Sequence, residues 1–336
     1  MRWDAAPRGV TGRPAPRSAI EQSGGAPVSE VPLPPQSDTD VPAYWQALGL
    51  PGLVDLHVHF LPEQMQHKVW AFFDAGAQNY GVEWPVTYRG SEPVRVEQLR
   101  ALGVLAFPTH PYPHKPGMAR WLNGWSAEFA RRTPGCLSSA TFFPEPGVAD
   151  YVRTALDDGA RMFKAHVQVG GYDPADPMLD PVWGLLTETG IPVTVHCGSG
   201  PRPGRHTGPG PMAQVLSRHP DLTLVVAHMG MPEYHEHLDL AERYPRVHLD
   251  TTMFATDFVE AFAPVPADLP PRLAALADRI VLGSDFPTIP YTYAHQVEVL
   301  HRLDLGADWL RGVLYGNGAR LVGLDPVATL DPVATR

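Results

Sequence analysis

The stretch Val54-Asp55-Leu56-His57-Val58-His59-Phe60 sets polar side chains at alternate positions among apolar ones. Strand alternation assigns Asp55, His57 and His59 to one face and Leu56, Val58 and Phe60 to the other. Two imidazoles separated by one residue sit about 7 Å apart along a strand and can converge on one cation. Two histidines hydrogen-bonded to neighbours are the plainer alternative, and this stretch alone leaves both open. The rest of the chain must decide.

Working outward, seven more apolar runs follow the first, Gly52–Phe60: Leu105–His110, Leu137–Pro144, Arg161–Val167, Pro192–Cys197, Leu222–Gly230, Val247–Phe254 and Arg279–Pro287. Each is short, rich in Val, Ile, Leu, Thr and Phe, and mostly bounded by Gly, Pro or Asp, as buried parallel strands are. Helical patterns lie between them, at Val94–Leu102, Met118–Arg132, Val148–Asp158, Leu179–Thr189, Pro211–Arg218, Glu233–Arg243, Leu269–Ala277 and Thr292–Arg302. Strand and helix alternating about eight times predict an α/β fold, a (β/α)8 TIM barrel over roughly residues 50–324. A doubly wound open sheet is the runner-up, but no Gly-x-Gly-x-x-Gly turn follows the first run.

Three later runs repeat the polar feature at equivalent places. Histidines His196 and His228 end the fifth and sixth runs, and the carboxylate of Asp285 ends the eighth. In a (β/α)8 barrel those strand ends line the active-site mouth. Burying so many polar groups is costly unless something satisfies them, and a divalent cation of borderline softness suits three His and one Asp.

These motifs together resemble the amidohydrolase superfamily. Asp-Leu-His-Val-His-Phe, Val-His-Cys-Gly, Ala-His-Met-Gly and Gly-Ser-Asp-Phe-Pro occur in order, followed by Tyr315-Gly-Asn-Gly-Ala-Arg-Leu321. The branch they are most similar to is the amidohydrolase-related group containing aminocarboxymuconate-semialdehyde decarboxylase. The resemblance implies a barrel of the metal-dependent hydrolase type with one divalent metal ion, often zinc, at the strand ends. It implies His57, His59, His196 and Asp285 as metal ligands, Asp285 and His228 as catalytic groups, and a structural role for the Asn-Gly-Ala-Arg stretch. It also implies dimer formation, since relatives often pair. Neutral imidazoles would leave the cation enough charge to lower a bound water's pKa from 15.7 to about 7, with Asp285 beside it as general base.

Other positions carry expectations about the substrate. Lys164 and His166 share a face of the fourth run and are assigned to substrate binding; in two-metal relatives a lysine there bridges the metals instead. Arg202 and Arg205, in the turn-rich loop after the fifth run, could hold a carboxylate bidentately. His110, after the second run, is placed near the metal. Asp55 has two readings, a partner that orients a ligand histidine or a hydrogen bond at the barrel bottom.

Composition limits the rest. The chain has 336 residues, 44% hydrophobic and 18% charged, with 38 prolines and 31 glycines. That favours a turn-rich globular fold over a helical bundle. A net charge of −10 argues against a nucleic-acid ligand, and no run of about 18 apolar residues suggests a membrane span. Two cysteines, Cys136 and Cys197, cannot form a disulfide framework or a four-thiolate site, so a reducing cytoplasm is expected. Residues 1–20 lack a signal-peptide core. Residues 1–43, rich in Pro, Gly, Ser and Ala, are expected to be loosely ordered, 44–323 to form the catalytic domain, and 324–336, with its doubled Leu-Asp-Pro-Val-Ala-Thr, to be a tail.

A small-molecule substrate is therefore expected. Three functions are compatible with these residues: metal-dependent hydrolysis of a carboxylate-, amide- or lactone-type compound, non-oxidative decarboxylation of a cyclic or unsaturated acid, and a metal-holding barrel without catalysis. The complete donor set argues against the last.

Overall fold

The computed structural model describes residues 31–324, and those residues form a (β/α)8 barrel. Nine strand pieces make up its wall: β1 (Leu53–Val54), β2 (Val104–Pro108), β3 (Cys136–Leu137), β4 (Ser139–Thr141), β5 (Met162–His166), β6 (Val193–His196), β7 (Leu224–Val226), β8 (Val247–Asp250) and β9 (Ile280–Val281). β3 and β4 are two halves of one barrel strand, interrupted at Ser138, so the pieces fill eight positions. All pairings are parallel, β1-β2-β3 in one ladder and β4 through β9 in the other.

Closure runs through the first and last runs. Leu56 N donates to Leu282 O, Asp285 N to His57 O and His59 N to Phe286 O, each at 2.8 Å. The two segments that carry His57, His59 and Asp285 are thus hydrogen-bonded to each other directly. Gly283 is required there: a Cβ would lie 2.8 Å from that of His57 and collide with Thr252 Oγ1. Gly318 lies equally close to Val54, whose Cγ1 would be 2.9 Å from an added Cβ. A small apolar cluster (Val54, Ala106, Leu137, Met162, Val225 and Val281) packs against Ala319 and Val322 of the closing helix. Asn317 Nδ2 ties that helix to the barrel through Ala277 O and Ile280 O, both 2.7 Å. The Asn-Gly-Ala-Arg stretch works as a clasp.

The helices expected between the runs form, most within two residues at either end. Met118–Arg132 matches the expected range, and Val148–Asp157 and Tyr293–Arg302 each differ by one residue. Two further helices, α2 (Glu63–Asp74) and α3 (Gly76–Tyr80), occupy the long connection after β1 and were not expected. Among the described residues, no helix is long and apolar enough to cross a membrane.

The expected boundary at residue 43 needs correction. It falls inside helix α1 (Val41–Ala47), where Val41 and Tyr44 are buried. Just before it, the Asp38 carboxylate accepts from the Tyr88 hydroxyl and from Ala294 N at 2.9 Å, near the start of helix Tyr293–Arg302. The chain is docked from about residue 38 because this turn supplies acceptors to the barrel. Residues 1–30 and the doubled tail motif from 325 onward lie outside the described residues. Asp38→Ala leaves a phenol and a helix N–H without their acceptor. It should therefore cost about 1–3 kcal/mol of stability, measurable as a lowered midpoint in urea or thermal unfolding. Deleting residues 1–40 should cost at least as much.

Candidate active site

Three side chains meet at the mouth of the barrel. One donor atom from each of His57, His59 and Asp285 lies within 4.8 Å of the others. Asp285 Oδ1 is 3.0 Å from His59 Nε2 and 3.7 Å from His57 Nε2. The other nitrogen of each imidazole is already engaged. His57 Nδ1–H donates to Asp250 Oδ2 at 2.8 Å, and His59 Nδ1–H donates to the carbonyl of His110 at 2.9 Å. Both Nε2 atoms therefore turn lone pairs toward the point that Asp285 Oδ1 also faces. Two acceptors 3.0 Å apart repel unless a proton or cation lies between them, and donors sharing a cation at about 2.0–2.2 Å have such separations. The residues present fit a divalent cation.

Burial supports the same protonation states. It holds His57 well below the usual imidazole range, aided by the nearby Lys164 charge. It lowers His196 to about 4 and His228 to about 3, and holds His166 well below its ordinary value. Near neutral pH these rings are uncharged and keep a lone pair each.

The remaining expected residues divide. His196 lines the same cavity but stands outside the trio: it stacks on His166 with ring centres 4.1 Å apart, and its Nε2–H donates to Gly200 O at 3.1 Å. That bond leaves Nδ1 as its free donor atom. His228 lines the cavity 4.5 Å from the His196 ring, its backbone N donating to Asp250 Oδ1 at 2.8 Å and its buried Nδ1 without a partner. His166 also lines it.

Lys164 does not, so its expected contact with substrate needs correction. Fully buried, it aims Nζ at His57 Nε2, 2.8 Å away, and burial pulls its pKa down to about 8. It competes for the lone pair that a cation would use. His110 is buried as well: its ring packs edge-on to His57 at 5.3 Å, neither ring nitrogen reaches a partner, and its working contribution is the carbonyl that orients His59.

Arg202 and Arg205 are exposed and line no part of the cavity, contrary to expectation; Arg202 donates to the carbonyl of Asn79 and so ties down the end of α3. Solvation of two guanidiniums outweighs burial without a partner. Asp55 orients no imidazole ring. It joins the first run to the last, accepting from Ser284 Oγ at 2.5 Å and from Tyr293 OH at 3.0 Å, and burial raises its pKa to about 7.

Two parts of the site were missed in the sequence. The first is Asp250, at the end of β8, which fixes His57 and also accepts from the backbones of His228 and Thr252. Its signal was its place: a polar residue at a strand end, like His196 and Asp285. The second is an aromatic cover built by Phe73, Tyr80 and Trp84 from α2, α3 and the segment after them. Trp84 Nε1 donates to Thr288 O at 2.7 Å, which fastens the cover to the loop of Asp285. Five aromatic residues between Trp70 and Trp84, in a long connection beside the mouth, were the available hint. About 50 Å³ of free space remains under the cover, room for an ion and water.

Solved structures share this architecture. An uncharacterized TIM-barrel protein, Bb4693 from Bordetella bronchiseptica, is 21% identical, with 81% of this chain and 98% of that one covered at a TM-score of 0.64. IDCase from Metarhizium anisopliae is 16% identical over 83% and 98% of the two chains, TM-score 0.57. 5-Carboxyvanillate decarboxylase LigW2 from Novosphingobium aromaticivorans, solved with bound manganese, is 15% identical over 82% and 99%, TM-score 0.54. At these identities the likeness establishes the fold. No curated protein matches the chain in sequence. The amidohydrolase family model Amidohydro_2 matches residues 54–324, the span that contains β2 through β9, the second residue of β1 and every residue lining the metal cavity, and the chain belongs to that family.

Proposed function

We propose that this protein is a metal-dependent hydrolase acting on a small, planar carboxylate-, amide- or lactone-type substrate, with zinc as the expected ion. The observation that carries the proposal is the convergence of His57 Nε2, His59 Nε2 and Asp285 Oδ1, with the Nδ1 side of each imidazole already engaged by Asp250 and by the His110 carbonyl. His57 and His196 are the further ligands in this reading, through Nε2 and Nδ1 respectively. When bound, a divalent cation would supply Lewis acidity, polarising a carbonyl and acidifying water.

The chain's own groups account for the remaining steps. Asp285 accepts the proton released by the attacking water and returns it to the leaving group. His228, neutral and facing the cavity, donates to the oxygen on which negative charge develops. Burial pushes the Tyr80 phenol up to about 12, so it stays a donor. Phe73, Tyr80, Trp84 and Tyr112 offer ring faces to a flat substrate and exclude bulk water. With so little free space beneath it, the cover must shift to admit a ring.

Hydrolysis is preferred to decarboxylation because the cavity lining, among the described residues, contains no arginine or lysine to grip a leaving carboxylate. The test is a screen of lactones, amides and unsaturated carboxylic acids with the zinc-loaded protein, following acid release and carbon dioxide separately. Acid without carbon dioxide supports the proposal. Stoichiometric carbon dioxide overturns it in favour of a carboxy-lyase.

Two substitutions separate the roles. Asp285→Asn keeps an oxygen donor beside three imidazoles, so most metal should remain while turnover falls by about 10²–10⁴; near-full turnover on a proven substrate would move the base to another group. Asp250→Ala should act through His57 instead. Losing the acceptor frees the ring to rotate and change tautomer, so metal affinity should drop about 10–100-fold. Competition with a chelator measures it, and unchanged affinity would refute the orienting role.

A further inference from the structure

A second cavity, sharing no lining residue with the metal cavity, lies against α2. It has about 400 Å³ of free space, between α2 and the start of helix α4 (Glu92–Ala101). Arg95 reaches into it and is only 2% exposed. Its guanidinium lies over Phe60 and Trp70, 5.0 and 5.4 Å from the ring centres, and NH1 donates to Gln66 Oε1 at 3.0 Å. Among the described residues, no carboxylate lies within ion-pair distance of it. Arg95 Nε, Gln66 Nε2 and Trp70 Nε1 are all buried without an acceptor.

That arrangement is costly as it stands. A guanidinium cannot shed its charge at neutral pH, and the Glu92 charge, beyond ion-pair distance, answers that of Arg95 only in part. Burial lowers the pKa of Arg95 only to about 10, so the charge persists. The aromatic faces offset part of the cost and leave the ring-plane N–H groups unanswered. Arg95, Gln66 and Trp70 line one cavity, and each carries a covered N–H with no lone pair to receive it, so the cluster suits oxygen lone pairs once its side chains shift to meet a ligand. The first turn of α4 adds to it: Ser91, its N-cap, makes no side-chain cap bond and lines the same cavity. Two carboxylates border the space. Glu92 is held fork to fork by Arg132 at 2.5 and 2.9 Å, and Glu63 is exposed.

We propose that this cavity is a second ligand site, separate from the metal centre, that binds a small oxyanion, carboxylate or phosphate, on Arg95, Gln66 and Trp70. The site is linked to the catalytic apparatus through the chain, because Phe60, under the Arg95 guanidinium, follows His59 and α2 also carries Phe73 of the cover.

The test uses the metal-loaded full chain, titrated with malonate and separately with phosphate against chloride at constant ionic strength, and read by calorimetry and thermal unfolding. At least one oxyanion should bind saturably and raise the melting temperature. Gln66→Glu keeps the acceptor for Arg95 NH1 and adds an internal carboxylate. It should weaken that binding tenfold or more and raise the melting temperature without ligand. Trp70→Phe keeps the ring over Arg95 but removes one donor, and should weaken binding several-fold. If neither oxyanion saturates, or if Gln66→Glu responds like the parent, the proposal is overturned; in the second case the anion belongs to the metal centre.

Discussion

The structure depends on a repulsion that must be relieved. Several imidazoles and a carboxylate are crowded into one end of the barrel interior, where an unanswered lone pair or proton is expensive. The protein resolves half of this itself by giving imidazole N–H groups fixed acceptors: Asp250 for His57, the His110 carbonyl for His59 and the Gly200 carbonyl for His196. Each bond turns the opposite nitrogen toward solvent or cavity as a lone pair. What remains is a set of acceptors facing one another, and a cation is the simplest group that satisfies them together. Lys164, 2.8 Å from His57 Nε2, meets part of the same need with a charge of its own.

The barrel places these groups because parallel strands deliver residues in register. His166 on β5 pairs with His196 on β6, and Lys164 with Thr194 below them. Beneath that layer, Met162 and Val225 help fill the interior, so strand alternation puts chemistry at the C-terminal ends and packing toward the other. The first run departs from this regularity. Only Leu53–Val54 is laddered as strand, with a shift in register between its two residues. Beyond it the chain pairs with the last run through individual hydrogen bonds. This lets Asp55 fasten Ser284 and Tyr293 while His57 and His59 face the cavity.

Much of this was legible in the sequence because it rests on short-range periodicity. The eight runs, their intervening helices and the polar residues at strand ends follow from patterns of two and 3.6 residues. His57, His59 and Asp285 converge as their positions suggested. What periodicity could not show was direction and partnership. Whether Lys164 faces substrate or a histidine depends on which neighbours satisfy its charge. Whether Arg202 and Arg205 turn inward depends on a loop whose conformation no repeat encodes. Asp250 escaped notice because its importance is relational, an acceptor for a histidine 193 residues away. The aromatic cover escaped because α2 and α3 belong to a connection, where helix and loop are separated by tertiary packing more than by local pattern.

Backbone conformation carries the last part of the argument. His110, His228, Met229, Met253 and Asp285 all have φ between +39° and +66°. Side-chain-bearing residues rarely occupy this left-handed region, and each instance costs on the order of 1–3 kcal/mol. His228, Met253 and Asp285 line the cavity, Met229 adjoins His228, and the His110 ring packs on His57, all on segments that follow the strands. A left-handed residue reverses the chain sharply, so a strand-end side chain can project over the barrel axis while its neighbours return to the outer helices. At His110 the same turn points the carbonyl at His59; at His228 it brings the backbone N–H onto Asp250. Glycine would relieve the strain but would remove the side chain being positioned. The scaffold absorbs that cost through the surrounding core, where the strands are almost wholly buried and the helices bury their inner faces. Stability spent on those turns is what fixes the donors of His57, His59 and Asp285 at separations suited to a shared cation.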